Sequence, residues 1–200
     1  AEVSYPFVRE RNLNLYGKVS YVHSYFEDRV GLLATVDDKN TRAVQVAISG
    51  DARDAYFGGG ISVFSLNYGS GRLDITSAAA RAVDDDGARA RGHYDKWNLN
   101  LLRLQSLGER AALYVSFAGQ KARKNLDSSE KFVLGGANGV RAYPQGEGSG
   151  DSGYLATTEL RYSMAWDKLP GVLQPFAFVD GGSVTISEQP TAANSNRRNL

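Results

Sequence analysis

Few residues in this 200-residue chain are of a type and spacing that could do covalent chemistry. Residues 150–153 read Gly-Asp-Ser-Gly, which matches the core of the signature around the nucleophile of trypsin-like serine proteases. Such a serine needs a histidine base within hydrogen-bond reach, and the sequence offers only His23 and His93. Neither histidine lies in the Ala-Ala-His-Cys setting of that base, and Tyr154 stands where those enzymes have glycine. We therefore predict no catalytic residues and no enzyme.

Metal, cofactor and phosphate sites are not predicted either. Cysteine is absent, which removes thiolate ligands, disulfides and a cysteine nucleophile. Residues 84–87 read Asp-Asp-Asp-Gly, but they lack the alternating ligands and the closing glutamate of a calcium-binding loop. The glycine-rich runs at 58–60 and 69–71 are followed by neither Lys-Ser nor Lys-Thr, so they do not form a phosphate-binding loop.

The composition favours β structure without a nucleic-acid partner. Lys and Arg total 23 against 22 Asp and Glu, whereas nucleic-acid-binding domains concentrate positive charge. Glycine is plentiful at 22 residues, and so is tyrosine at 11. No apolar run approaches the roughly 20 residues that a membrane helix needs.

Alternation of apolar and polar residues is the main structural signal. In one segment Val44, Val46 and Ile48 fall on one face, opposite Gln45 and Ser49. By this template about eight strands are predicted, near residues 2–9, 12–25, 41–51, 58–69, 94–104, 110–120, 153–164 and 172–182. Most exceed the 5–6 residues of globular strands and meet the roughly 9–11 residues of a tilted membrane strand.

The connections between these strands alternate in length. Short turns are predicted near residues 10–11, 52–57, 105–109 and 165–171. Long polar connections are predicted near 26–40, 70–93 and 121–152, with another from 183. This alternation is typical of up-and-down outer-membrane barrels, which have short periplasmic turns and long external loops. A sandwich with Greek-key crossings has no reason to show it.

Residues 125–182 carry a resemblance to a known family. They hold Asn-Leu-Asp-Ser-Ser-Glu-Lys-Phe at 125–132, Val-Arg-Ala-Tyr-Pro at 140–144, Glu-Leu-Arg-Tyr at 159–162 and Phe-Ala-Phe-Val-Asp-Gly-Gly at 176–182. In order and spacing these blocks resemble the C-terminal barrel of two-partner secretion transporters, the haemolysin and adhesin secretion/activation proteins. Weaker similarity extends over nearly the whole chain.

The resemblance implies a specific pair of motifs. In that family, the arginine of a Val-Arg-Gly-Tyr motif on a long inward-folding loop meets the aspartate of a Phe-x-Asp-x-Gly motif on the inner wall. Carried over, the loop tip comprises Val140, Arg141 and Tyr143, and the inner-wall partners are Phe178, Asp180, Gly182 and Glu159. Ala142 replaces the family's glycine, which removes a free φ > 0 position and could alter the backbone of the tip.

Physical chemistry supports this pairing. Phe178 and Asp180 are two residues apart and so share a strand face. A mid-strand carboxylate is tolerable only toward the lumen, because a charge facing lipid can cost roughly 2–4 kcal/mol. An arginine on a glycine-rich loop would supply a planar, bidentate donor to it. Three alternatives stay open: Arg141 as a solvated loop charge, Asp180 as a turn residue, and Glu159 with Arg161 as an exposed same-face pair.

We therefore predict an all-β fold: an antiparallel up-and-down transmembrane β-barrel, of which residues 1–200 supply about eight strands out of about 16. The inward-folding loop is expected at about 121–152, and the family's periplasmic recognition domains are absent from the sequence. The implied function is an outer-membrane pore that moves one large exoprotein from the periplasm to the surface of a Gram-negative cell. The alternatives are a barrel-assembly member of the same superfamily and a soluble β-sheet binding module.

Overall fold

A computed structural model describes residues 1–30, 35–136, 139–165, 171–190 and 197–199. The strands are β1 (Glu2–Arg9), β2 (Leu13–Val30), β3 (Thr35–Asp54), β4 (Gly60–Ile75), β5 (Gly92–Ser106), β6 (Ala111–Ala122), β7 (Phe132–Val133), β8 (Ser149–Gly150), β9 (Ser152–Tyr162), β10 (Met164–Ala165), β11 (Val172–Leu173), β12 (Phe176–Thr185) and β13 (Arg197–Asn199). Within these ranges, helical structure comprises α1 (Ala78–Asp86) and 3-10 turns at Tyr56–Gly58 and Ser128–Glu130. No helix in the described parts is long and apolar enough to cross a membrane.

Nine strands form a single sheet in the order β1-β2-β3-β4-β5-β6-β9-β12-β13. All neighbouring strands are antiparallel, so the chain runs up and down along the sheet. Two short hairpins, β7–β8 and β10–β11, lie outside this wall. The described strands do not close into a cylinder, because β1 and β13 are each paired on one side only. The predicted antiparallel all-β architecture is confirmed.

Each of the eight predicted strands matches a wall strand, but several predicted connections differ from the structure, and the predicted turn at 165–171 lies largely outside the described residues. The predicted long connection at 26–40 is wrong, because β2 continues to Val30 and pairs with β3 from Thr35 onward. The charged residues of this segment interrupt the alternation of apolar and polar residues. The alternation therefore did not predict strands here, although the backbones pair. The predicted connection at 70–93 instead contains the end of β4 and α1. Helix α1 begins after Ser77, whose Oγ accepts from Ala80 N at 3.3 Å.

The predicted strand at 172–182 begins too early, and one strand was not predicted. Val172 and Leu173 form β11 and pair with β10, and the wall strand β12 starts only at Phe176. Pro175 separates the two because proline has no N–H to donate to a ladder. The strand β13, which pairs with the end of β12, falls in a segment for which the sequence predicts a loop.

The two faces of the wall differ in chemistry. On the outer face large apolar side chains are exposed: Val19, Val46, Leu66, Leu101, Val115, Leu160 and Val179. On the opposite, inner face polar side chains bond across strands. Asn98 Nδ2 donates to Gln120 Oε1 at 2.7 Å, and Asn14 Nδ2 donates to Asp51 Oδ2 at 3.1 Å. Apolar outward and polar inward is the pattern of a membrane barrel wall.

The largest buried apolar cluster lies between the inner face and the connection that joins β6 to β9. It comprises Leu134 and Val140 from the connection, and Leu155 and Val184 from the wall. Ala118 and Phe132 pack against it. This core therefore fixes residues 123–151 to the inner face, which is where the predicted loop motif lies.

We expect the 200-residue chain, expressed alone, to aggregate in water and to disperse in detergent. Its outer face exposes many large apolar side chains, and β1 presents an unpaired edge with Val3 and Tyr5 exposed. Sedimentation velocity with and without detergent measures this. A sharp monomeric boundary without detergent would contradict it.

Candidate functional site

The loop tip is built by close backbone contacts within the connection at 123–151. Leu134 N donates to Gly148 O at 3.0 Å, and Val140 N donates to Leu134 O at 2.7 Å. Residue 139 must be glycine here, because a Cβ at this position would collide with the backbone of Leu134. The tip is thus folded back on itself before it meets the wall.

Gly182 on β12 makes room for this tip. A Cβ at position 182 would lie 2.4 Å from the backbone oxygen of Tyr154 on β9 and 2.6 Å from Leu134 Cδ2, both closer than real contacts. Leu134 is fully buried, and Val140 is buried beside it. Residue 182 must therefore lack a side chain for the neighbouring strand as well as for the tip, and Val140 acts as an apolar anchor of the tip.

Arg141 lies between two carboxylates of the inner wall. Its Nε donates to Asp180 Oδ2 at 2.7 Å and its Nη2 donates to Asp180 Oδ1 at 3.0 Å. Its Nη1 donates to Glu159 Oε2 at 2.5 Å. The guanidinium carbon is 3.5 Å from the centroid of the Phe178 ring. One cation thus makes a bidentate pair, a second ion pair and a cation–π contact.

The register of β9 and β12 places these wall groups on one face. Phe178 is directly opposite Glu159, and Asp180 is opposite Thr157. The side chains of Asp180 and Glu159 are only 3% and 9% exposed. Buried carboxylates need a cation nearby. The loop tip supplies that cation to the wall as the guanidinium of Arg141.

Glu159 is shared by two arginines. Arg161 Nε donates to Glu159 Oε1 at 2.6 Å, and its guanidinium lies over the Tyr114 ring at 5.3 Å. Two carboxylates therefore face two arginines, and the cluster is neutral. Hydrogen bonds from Arg141 to Asp180 and then to Glu159 raise the pKa of the Arg141 guanidinium, so it stays charged.

The structure brings together Arg141, Glu159, Phe178 and Asp180, and it places Tyr143 apart from them. The Tyr143 side chain is 41% exposed, and its backbone closes the tip by donating to Val140 O at 3.1 Å. Ala142 does not have a positive φ, so its replacement of glycine requires no strained backbone. The geometry excludes the alternative of Arg141 as a solvated charge. The functional roles of these residues stay predictions.

Sequence reasoning missed the part played by Asp151. Its side chain is 0% exposed, and Oδ1 accepts from Leu126 N at 3.0 Å and from Lys131 Nζ. Its Oδ2 accepts from Glu188 N at 3.0 Å. Asp151 therefore joins the start of β9 to two separate connections. In the sequence Asp151 lies in the Gly-Asp-Ser-Gly run, which suggests a serine nucleophile and does not predict these contacts.

The segment 125–131 carries part of the family resemblance, but the sequence did not predict its contacts. Asn125 Nδ2 donates to Ala88 O at 2.7 Å and to Gln189 O at 2.9 Å, and its Oδ1 accepts from Gln189 N. Lys96 Nζ pairs with Glu130 Oε2 at 2.7 Å. The segment thus ties the connection that contains α1 to the residues following β12.

Ser152, the serine of the same run, has a structural setting. Its Oγ accepts from Ala122 N at 2.9 Å and donates to Glu188 Oε1. Neither His23 nor His93 is among the hydrogen-bond partners of Ser152 in the described residues. The hydroxyl therefore fastens the end of β6 to the start of β9.

We expect Arg141→Ala to release the loop tip, because Asp180 and Glu159 lose the cation that they share. Removing one partner of a buried ion pair costs about 3–5 kcal/mol. Water that reaches the 29%-exposed Arg141 side chain lowers this cost. Proteinase K should cleave within 123–151 at least about tenfold faster. The variant Arg141→Lys should protect the loop partially from cleavage. The control Arg11→Ala, in a distant turn, should be cleaved at the wild-type rate. Equal protection in Arg141→Ala would contradict the prediction.

We expect Asp151→Asn to loosen the base of the same connection. The asparagine amide has the shape of the carboxylate but lacks the charge that pairs with Lys131. Its NH2 group also faces one of the two backbone N–H donors and cannot accept a hydrogen bond from it. Breaking this buried pair should cost about 3 kcal/mol, seen as a lower midpoint of urea unfolding of the purified complete protein. Asp86→Asn, an exposed carboxylate in α1, is the matched control. An unchanged midpoint for Asp151→Asn would refute the assigned role.

Comparison with known proteins places the chain in a family. Residues 10–196 match the family described as haemolysin secretion/activation protein ShlB/FhaC/HecB. The heme/hemopexin transporter protein HuxB of Haemophilus influenzae is 28% identical over 162 residues, covering 81% of this chain and 28% of that protein. This chain therefore spans less than a third of that relative.

The fold also has a solved counterpart. The structure of CdiB from Escherichia coli superposes with a TM-score of 0.72 at 17% identity, over 90% of this chain and 33% of that one. At this identity the likeness concerns the fold, and it agrees with the wall of antiparallel strands described above. Because the family match spans nearly all of the sequence, the chain belongs to the haemolysin secretion/activation family of two-partner secretion outer-membrane transporters, as its motifs predict.

Proposed function

We propose that this chain forms part of an outer-membrane channel that moves one large exoprotein from the periplasm to the surface of a Gram-negative cell. The observation that carries the proposal is the docking of Arg141 between Asp180 and Glu159. This contact holds a long connection against the polar face of a wall whose other face is apolar. A polar lumen that is blocked by a loop able to move away suits a channel that opens only when it binds the exoprotein.

The contacts of the site are consistent with a loop tip that can dissociate from the inner wall. Glu159 keeps Arg161 as a partner when Arg141 departs, so only Asp180 loses its cation. Water entering the lumen can solvate Asp180, which lowers the cost of release relative to a sealed core. The docked state is therefore stable without being permanent.

The remaining parts of the proposal follow the same reasoning. Residues 1–200 would form part of the barrel, with the connection at 121–152 inside it and the recognition domains elsewhere in the complete protein. The outer face would contact outer-membrane lipid. The channel would act without enzymatic chemistry, a cofactor, a metal or a nucleic-acid partner, since Ser152 and Asp151 are engaged in structural contacts.

Two alternatives are less well supported. A soluble binding module does not account for an outer face rich in exposed apolar side chains. A barrel-assembly protein could share the Arg141–Asp180 pair, but the family match concerns secretion and activation proteins. The HuxB relative, named as a heme/hemopexin transporter, also supports transport as the activity.

We expect deletion of the gene to remove one large protein from the culture medium, because a dedicated transporter serves a dedicated cargo. Complementation with Arg141→Ala should restore that protein to no more than about a tenth of the wild-type amount, at equal levels of transporter in the outer membrane. Arg11→Ala should restore it fully. Immunoblots of the medium and of outer membranes measure both.

The outcomes separate the candidates. An unchanged medium after deletion would overturn secretion as the function. A general loss of outer-membrane barrels would support the assembly role instead. Full secretion by Arg141→Ala, despite a protease-accessible loop, would show that docking is not needed for transport.

A further inference from the structure

Four nitrogen-bearing side chains form a row across four adjacent strands. His23 on β2 is directly opposite Arg42 on β3, Arg42 is opposite Arg72 on β4, and Arg72 is opposite His93 on β5. All four residues are exposed. We call His23, Arg42, Arg72 and His93 the basic row.

The basic row lies on the outer face of the wall. Side chains two residues apart share a face, so Arg42 is on the side of Val44 and Val46, both of which are exposed. By the same rule His23 is on the side of Tyr21 and Val19. The row therefore continues the apolar outer surface and does not face the lumen.

Among the described residues, acidic side chains pair with Arg72 and His93 of this row, but not with His23 or Arg42. Directly opposite side chains lie about 4.5–5.5 Å apart at Cβ, and like charges there destabilise a sheet. His23 and Arg42 have no ion-pair partner among the described residues. Arg72 Nε donates to Asp74 Oδ1 at 3.0 Å, and His93 Nε2 lies 3.3 Å from Asp95 Oδ1.

The acidic neighbours leave donors available. Asp74 engages only Nε of Arg72, so both terminal nitrogens of that guanidinium have no partner within the described ranges. The guanidinium of Arg42 likewise has no hydrogen-bond partner within the described ranges. Two adjacent guanidinium groups with free terminal N–H groups match the geometry of a phosphate, which accepts bidentate hydrogen bonds. The flanking imidazoles can donate an N–H in either protonation state.

The position of the row along the strands identifies the kind of anion. Tyr68 and Trp97 are paired across β4 and β5, with ring centroids 4.7 Å apart, on the same outer face. Aromatic side chains of this kind mark the edges of the apolar band in membrane barrels. The basic row lies beyond them toward the end of the wall that carries the connection 123–151. Lipid headgroups would lie at that level.

We propose that the basic row binds the phosphate-bearing headgroup of an anionic lipid, with Arg42 and Arg72 holding the phosphate and the adjoining apolar face contacting the acyl chains. This inference rests on the proposed function for the placement of the wall in a membrane. It adds a lipid site on the outside of the barrel, separate from the Arg141 site inside.

The test is a native mass spectrometry titration of the complete protein in detergent with phosphatidic acid. The comparison lipid is diacylglycerol with the same acyl chains, which lacks phosphate, and inorganic phosphate forms a third arm. Wild type should retain phosphatidic acid but not diacylglycerol. The double variant Arg42→Gln/Arg72→Gln should bind phosphatidic acid at least about tenfold more weakly. Inorganic phosphate should bind weakly to both.

Arg9→Gln/Arg11→Gln, the same change of charge at the other end of the wall, is the matched control and should bind as wild type does. Equal loss in the control, or wild-type binding by Arg42→Gln/Arg72→Gln, would overturn the site. Tight binding of inorganic phosphate would overturn a lipid as the occupant. If the double variant does not fold, Arg42→Gln alone suffices, because Arg42 has no ion-pair partner among the residues that the structure describes. Secretion is measured separately: an unchanged culture medium after deletion of the gene, together with phosphatidic acid binding by the wild-type protein, counts against the proposed function alone.

Discussion

The wall of this protein carries two buried carboxylates, Asp180 and Glu159, and the wall itself supplies a cation for only one of them. Asp180 has no basic neighbour along β12, and Glu159 has one in Arg161. Burial of an unpaired carboxylate is costly, so the fold requires a cation from a distant part of the chain. Arg141 provides it from 39 residues away. The close turn at Gly139 and the apolar anchor at Val140 bring Arg141 to this position.

A second polar centre keeps that connection in place at its base. Asp151 gathers a backbone N–H from each of two connections together with the ammonium of Lys131. The tip is thus held by a cluster open to the lumen, and the base by a carboxylate from which solvent is excluded. The segment is therefore fastened to the wall at both places, and water reaches the contact at the tip more readily than the contact at the base.

The two faces of the sheet divide the chemistry of the protein. Inward-pointing residues form hydrogen-bonded polar pairs and the arginine–carboxylate cluster, whereas the outer face is apolar over most of its height. The apolar outer face and the polar inner face agree with membership of this family of outer-membrane transporters, because the wall of a membrane barrel is apolar outside and polar inside. The same division explains why exposed charges on the outer face, such as Arg42, call for an external partner.

Much of this architecture could be predicted from the amino-acid sequence alone, because period-two alternation and the two motifs are local properties. Eight wall strands were predicted from the alternation, and the meeting of Arg141 with Asp180 was predicted from the resemblance of the two motifs to a known family. The polar continuation of β2 and β3, the helix α1, the hub at Asp151 and the basic row were not. Asp151 bonds to Leu126 and Glu188, 25 and 37 residues away, and the members of the basic row meet only through strand register. Such contacts depend on which residues the sheet places side by side, and that pairing is decided by the tertiary structure because no single segment encodes it.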